Sequence, residues 1–263
     1  MERLGPPSPD LLDSLTAAIR SVLGDDLVGL YLYGSAVTGG FDADVSDLDL
    51  AAVTAQEVEA LDLDGLERMH RLFEEQNPEW CGRIDVVYIG RATLASFRTS
   101  TGAVAVISPG EPFHVRDDRV IAWLQNWYLI RQTGQPLWGP PAKDVVPTIA
   151  WSEFVDATIR YAGEVANRSR ANVGVGTLAY TILTLCRALR VVRTQTLGSK
   201  QDGAAWVREQ LPDWAWLIDA SLACRLSGGK TGLGDESSLA GAATFITLIA
   251  SEISGGDAVR AVQ

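Results

Sequence analysis

The chain has 263 residues, 47% of them apolar, which is enough to build one large core or two modest ones. Twenty-two basic residues against 33 acidic ones leave a net charge of -11, the reverse of a nucleic-acid-binding surface. Cys81, Cys186 and Cys224 show no CxxC spacing and His70 and His114 share no ligand pattern, which argues against a disulfide scaffold or a zinc site.

Taken in chain order, Ser8-Pro9 reads as a cap and first turn, and apolar residues from Leu11 to Leu23 line one helical face. Leu27 to Tyr33 is a buried strand ended by Gly34-Ser35. Asp47 to Val53 is a second strand, Glu57 to Glu75 a helix, and Arg83 to Ile89 a third strand of the same small sheet. Asp117 to Arg131 reads as an amphipathic helix opened by acids, and Gly134 to Pro141 as a linker. Beyond Pro147 the periods are helical: Ser152 to Arg170, Thr177 to Arg193, Gln201 to Leu211, Trp214 to Leu226 and Glu236 to Ser254, with a frayed tail from Gly255. An α/β domain over 1–147 followed by an all-α helical bundle over 148–263 is expected. The N-terminus has no apolar leader and no run reaches 18 uninterrupted apolar residues, so a cytoplasmic protein with no membrane partner is expected.

The stretch that carries chemistry is Tyr33-Gly34-Ser35 to Gly40, followed by Ser46-Asp47-Leu48-Asp49-Leu50. A strand that stops at Gly-Ser and opens toward a helix offers backbone N–H groups to phosphate oxygens, with Gly34, Ser35 and Gly40 lining the cradle. Asp47 and Asp49 are two apart, so both carboxylates leave one strand face while Leu48 and Leu50 enter the core. Like charges that close repel unless a cation lies between them, and all-oxygen donors suit Mg²⁺. Asp85 is the one acid in an apolar strand, expensive to bury unless paired or metal-bound. Three carboxylates around two Mg²⁺ ions, facing a phosphate cradle, would serve in-line nucleotidyl transfer from ATP.

The Gly-Ser turn with SDLDL and a later acid resembles the polymerase β-like nucleotidyltransferases. In the second half, Leu183-Thr184-Leu185-Cys186-Arg187, Ser199-Lys200 and Ala204-Ala205-Trp206 resemble the aminoglycoside 3''(9)-adenylyltransferases, over about residues 20 to 230. The resemblance implies that Ser35 and Ser46 touch ATP, that Asp47 and Asp49 bind Mg²⁺, and that Arg187 and Lys200 grip the triphosphate. Asp85 stands where the family usually has a glutamate base. Members that take streptomycin carry Trp and Asp where an ungapped count reaches Arg168 and Val173, and the family's adenine-side tyrosine falls near Arg225 and Leu226. The function implied is transfer of AMP from ATP to a hydroxyl of an aminoglycoside or aminocyclitol, with pyrophosphate released and a monomer as the working form. An acidic surplus fits a cationic acceptor. Two alternatives stand beside it: a nucleotidyltransferase for a protein or another small alcohol, and an ATP-sensing module without turnover. Both histidines are expected at the surface, and the tryptophans mostly in cores.

Overall fold

In the computed structural model, which describes residues 7–43, 45–99, 101–169 and 173–255, helix α1 (Pro9–Leu23) starts where Ser8-Pro9 predicts, with the Ser8 hydroxyl accepting the Leu11 N–H. The chain divides into two units, Met1–Ala150 and Trp151–Gln263.

The first unit is built on β1 (Leu27–Leu32), β2 (Leu48–Thr54) and β3 (Ile84–Gly90), with the short helix α2 (Ser35–Thr38) after β1 and α3 (Leu63–Gln76) between β2 and β3. Helix α4 (Arg91–Ala95), the hairpin β4 (Thr101–Ser108) and β5 (Glu111–Arg119), α5 (Leu124–Thr133), β6 (Gln135–Trp138) and α6 (Ala142–Val145) complete it. The sheet runs β5-β4-β3-β2-β1-β6, with β2 and β3 parallel and every other neighbour antiparallel. Alternation sorts its faces: Leu30, Leu32, Leu48, Leu50, Ile84 and Val86 form one core with Leu15 and Ile19 of α1 and Leu66 and Phe73 of α3. Tyr31, Ala51, Val53, Val87 and Ile89, of opposite parity, are buried as well.

Four expectations are corrected here. Helix α3 begins at Leu63, with Asp62 as its cap, because the stretch before it makes a 3₁₀ turn and the Glu57 carboxylate accepts from the Thr93 N–H and hydroxyl. The hairpin was not anticipated, and it takes Asp117 to Arg119 into β5, so helix α5 starts only at Leu124. The segment read as a linker contains β6, which pairs with β1 and leaves the junction of the units at Ala150 and Trp151. His70 is not a surface residue: it is buried in the α3 core, with Nε2 2.7 Å from the Tyr88 hydroxyl and its ring stacked on Phe113.

Among the described residues the second unit has helices and no strand: α7 (Trp151–Arg168), α8 (Val175–Thr194), α9 (Lys200–Gln210), α10 (Ala215–Leu226) and α11 (Glu236–Gly255). Helix α8 packs against the other four, and Ile182, Leu185, Val207, Leu217, Phe245 and Ile249 fill the core. By length and composition α8 and α11 could each cross a membrane; both line this core instead. The tail read beyond Gly255 lies outside the described residues.

Candidate active site

After β1 the chain turns through Tyr33 and Gly34 into α2. Gly34 has φ 70 and ψ -146, a region nearly closed to side chains, and a β-carbon there would lie 2.2 Å from Asp49 Oδ2. The turn is thus pressed directly against that carboxylate. Ser35 follows as the first residue of α2, where backbone N–H groups have no acceptor within their own helix. Gly40 is buried just beyond Gly39, whose φ of 85 ends the turn.

Parallel pairing sets Asp49 beside Asp85, between the pairs Leu48–Ile84 and Leu50–Val86. Partners in register leave a sheet from one face, about 4.8 Å apart, so the two carboxylates emerge together while their apolar neighbours enter the core. On β4 the Ser108 hydroxyl, one residue beyond the Val86–Ile107 pair, donates to Asp85 Oδ1 at 3.0 Å. Burial pushes the Asp85 carboxyl up to about 6; Asp47 and Glu111 add to the rise, while the Ser108 hydrogen bond and the Arg116 charge oppose it. Tyr33 is buried beside the same acids. Burial, then the charges of Asp49 and Asp85, hold its phenol well above the usual range, and Asn126 Nδ2 on α5 donates to it at 3.2 Å. Ser46 is 2% exposed, and its hydroxyl accepts the Asp42 N–H at 2.9 Å.

These residues suit a divalent cation in donor chemistry: oxygen ligands of like charge, beside a glycine whose missing β-carbon leaves the Asp49 oxygen uncovered. Among the described residues no group of three His, Cys, Asp or Glu stands close enough to hold an ion. Ser108 engages Asp85 from the β4 side, away from β2.

In the second unit, Gly203 lies one turn past Lys200 and packs on the backbone at Arg187, where an added β-carbon would be 2.5 Å from the Arg187 Cα. That close crossing of α8 and α9 fixes where both cations originate. Ser199 and Asp202 form a capping box that starts α9 at Lys200. Lys200 Nζ lies 3.9 Å from the centroid of the Tyr180 ring, and the Tyr180 and Tyr161 hydroxyls are 3.0 Å apart. Burial and Tyr180 raise the Tyr161 phenol, and the charges of Arg168 and Arg187 pull it back. The Arg168 guanidinium carbon stands 5.9 Å from the centroid of the Tyr161 ring. Sequence reading assigned no role to Tyr33, Ser108, Asn126, Tyr161 or Tyr180; only Tyr33, next to the Gly-Ser turn, carried a local signal.

A mixed sheet thus carries a glycine turn against paired aspartates and is followed by a helical unit. Residues 144–248 match the family model for the C-terminal domain of aminoglycoside adenylyltransferases. The fold of the chain is similar to that of the spectinomycin adenyltransferase AAD(9) from Enterococcus faecialis, determined with ATP and spectinomycin. The TM-score is 0.69 at 16% identity, over 93% of this chain and 98% of that one. No curated protein sequence matches the chain.

Proposed function

We propose that the protein transfers AMP from ATP to a hydroxyl of a cationic aminoglycoside or aminocyclitol of the spectinomycin and streptomycin class, with Mg²⁺ required and pyrophosphate released. The observation that carries the reading is the parallel register that sets Asp49 beside Asp85 under the Gly34 turn. Asp47, Asp49 and Asp85 would hold the metal, and a bound ion would supply charge stabilisation at the phosphates and a lowered pKa for the attacking hydroxyl. Asp85 takes the proton from the acceptor oxygen and orients it toward the α-phosphorus. The backbone after Gly34, with Ser35 and Gly40, receives phosphate oxygens, and Ser46 keeps the loop before Asp47 in place. Arg187 and Lys200 supply cations to the triphosphate. An acidic chain of net charge -11 favours a cationic acceptor. ATP as co-substrate fits a cytoplasmic location, and the working form is a monomer.

The test is incubation of the purified protein with ATP, Mg²⁺ and a panel of aminoglycosides and aminocyclitols. A mass gain of one AMP unit on an acceptor supports the reading. Release of pyrophosphate that no member of the panel stimulates ends the antibiotic assignment.

A further inference from the structure

Arg83 stands between the 3₁₀ turn Pro78–Trp80 and β3, and both its main chain and its side chain reach the segment around Asp47. Its carbonyl accepts the Leu48 N–H at 2.8 Å. Its Nε donates to the Ser46 carbonyl at 3.1 Å, and its Nη2 donates to the Ser46 carbonyl at 2.5 Å and to the Ala43 carbonyl at 2.7 Å. The guanidinium carbon lies 4.9 Å from the centroid of the Trp80 ring, which is itself 4% exposed, so the fork is braced from behind. Asp47 is the one residue between Ser46 and Leu48. Each of its flanks is therefore fastened to the same arginine.

The loop has its own internal fastening: the Val45 and Ser46 N–H groups donate to the Asp42 carbonyl, and the Asp42 N–H donates to the Ser46 hydroxyl. These bonds set the shape of the loop but not its height above the sheet. The contacts from Arg83 tie it to the segment that leads into the strand carrying Asp85. A guanidinium in an acid-rich chain is here aimed at neutral carbonyls, where its value is geometric: a planar fork holds two acceptors at fixed spacing, which an ammonium group cannot do.

We propose that Arg83 is the positioning residue that sets Asp47 against the Asp49–Asp85 pair and so completes the divalent-cation site, an inference that rests on the nucleotidyltransferase reading above. The test uses the full chain with Mn²⁺ as probe, its binding followed by electron paramagnetic resonance without nucleotide, alongside steady-state kinetics and thermal unfolding. Arg83→Ala is expected to weaken Mn²⁺ binding about 10- to 100-fold, as is typical when a residue supporting a metal ligand is lost, and to lower kcat while the KM for the acceptor stays unchanged. Arg83→Lys keeps the charge and the stem over Trp80 but loses the fork. It is expected to unfold at the wild-type temperature and still bind Mn²⁺ more weakly, which a purely structural role would not produce.

Wild-type Mn²⁺ affinity in Arg83→Lys overturns the proposal, and so does a defect confined to acceptor KM. Absence of Mn²⁺ binding by the wild-type chain overturns it together with the metal site. A wild-type chain that binds Mn²⁺ but modifies no acceptor defeats the antibiotic assignment alone, because the Arg83 effect on the ion is still read directly.

Discussion

The two units hold their candidate chemistry by different physics. In the first, the acids sit on strands, and the β2–β3 register fixes Asp49 and Asp85 side by side before any side chain chooses a rotamer. In the second, Arg187 and Lys200 sit on helices, where the backbone fixes only their origins, through the Gly203 contact and the cap at Ser199, and a long stem leads Lys200 to the Tyr180 ring. Rigid placement suits groups that handle a proton and an ion at short range. Long cationic arms suit a polyanion whose oxygens are spread over several ångströms.

That contrast can be broken experimentally. Asp85→Asn keeps an acceptor for Ser108 and the shape of the strand but removes the base, so kcat is expected to fall about 10²- to 10⁴-fold with ATP binding retained by calorimetry. Near-normal turnover would move the base to another residue.

Acid should weaken the first unit through His70. Burial lowers its pKa to about 4 from an unfolded value of 6.5, so the unfolded chain takes up the proton first. Stability is then lost as the pH falls from 6.5 toward 4, by about 3 kcal/mol in all. Asp85, raised to about 6, works in the opposite sense over part of this window. Urea unfolding at several pH values therefore compares wild type with His70→Phe, in which the histidine slope alone should vanish. The second unit contains neither of the chain's two histidines and should show no such slope.

Lys200→Met should raise the KM for ATP roughly tenfold or more, the cost of a charge-assisted contact of about 1.5–3 kcal/mol, while kcat changes less. An equal loss in kcat would place the lysine at the reacting phosphorus and remove the distinction between the units. Smallest in stability, and sharpest as a comparison, are two glycine substitutions. Gly34→Ala introduces backbone strain of about 1–3 kcal/mol and crowds Asp49, so activity should suffer more than the urea midpoint. Gly203→Ala forces α9 off α8 at a similar cost, so its midpoint should fall first.

Much of this was legible in the sequence where one period dominates. Leu27 to Leu32, Leu48 to Thr54 and Ile84 to Gly90 are apolar runs bounded by turn or charged residues, and α7 to α11 carry uninterrupted 3.6-residue periods. The candidate acids followed, because alternation in a strand assigns a face without further information. The hairpin did not. β4 holds Gly102, Ala103 and Ala105, whose small side chains give little strand signal, and the acids of β5 imitate the first turn of a helix. β6 hid behind glycine and proline, since an edge strand tolerates Pro136 where an interior strand would not. The burial of His70 was illegible because its partners, Tyr88 and Phe113, come from strands far along the chain. The same holds for Ser108 and Asp85, which meet only across a ladder that local pattern does not reveal.

Strand β6 also bears on how the molecule can be dissected. It hydrogen-bonds to β1 and makes β1 an interior strand, and Trp138 is covered by the Arg20 guanidinium of α1. A fragment cut at the Gly134–Pro141 segment would strip one side of the strand from which the Gly34 turn emerges, exposing a raw sheet edge prone to self-association. A fragment meant to keep the acidic site for crystallography or ligand screening should run through residue 150.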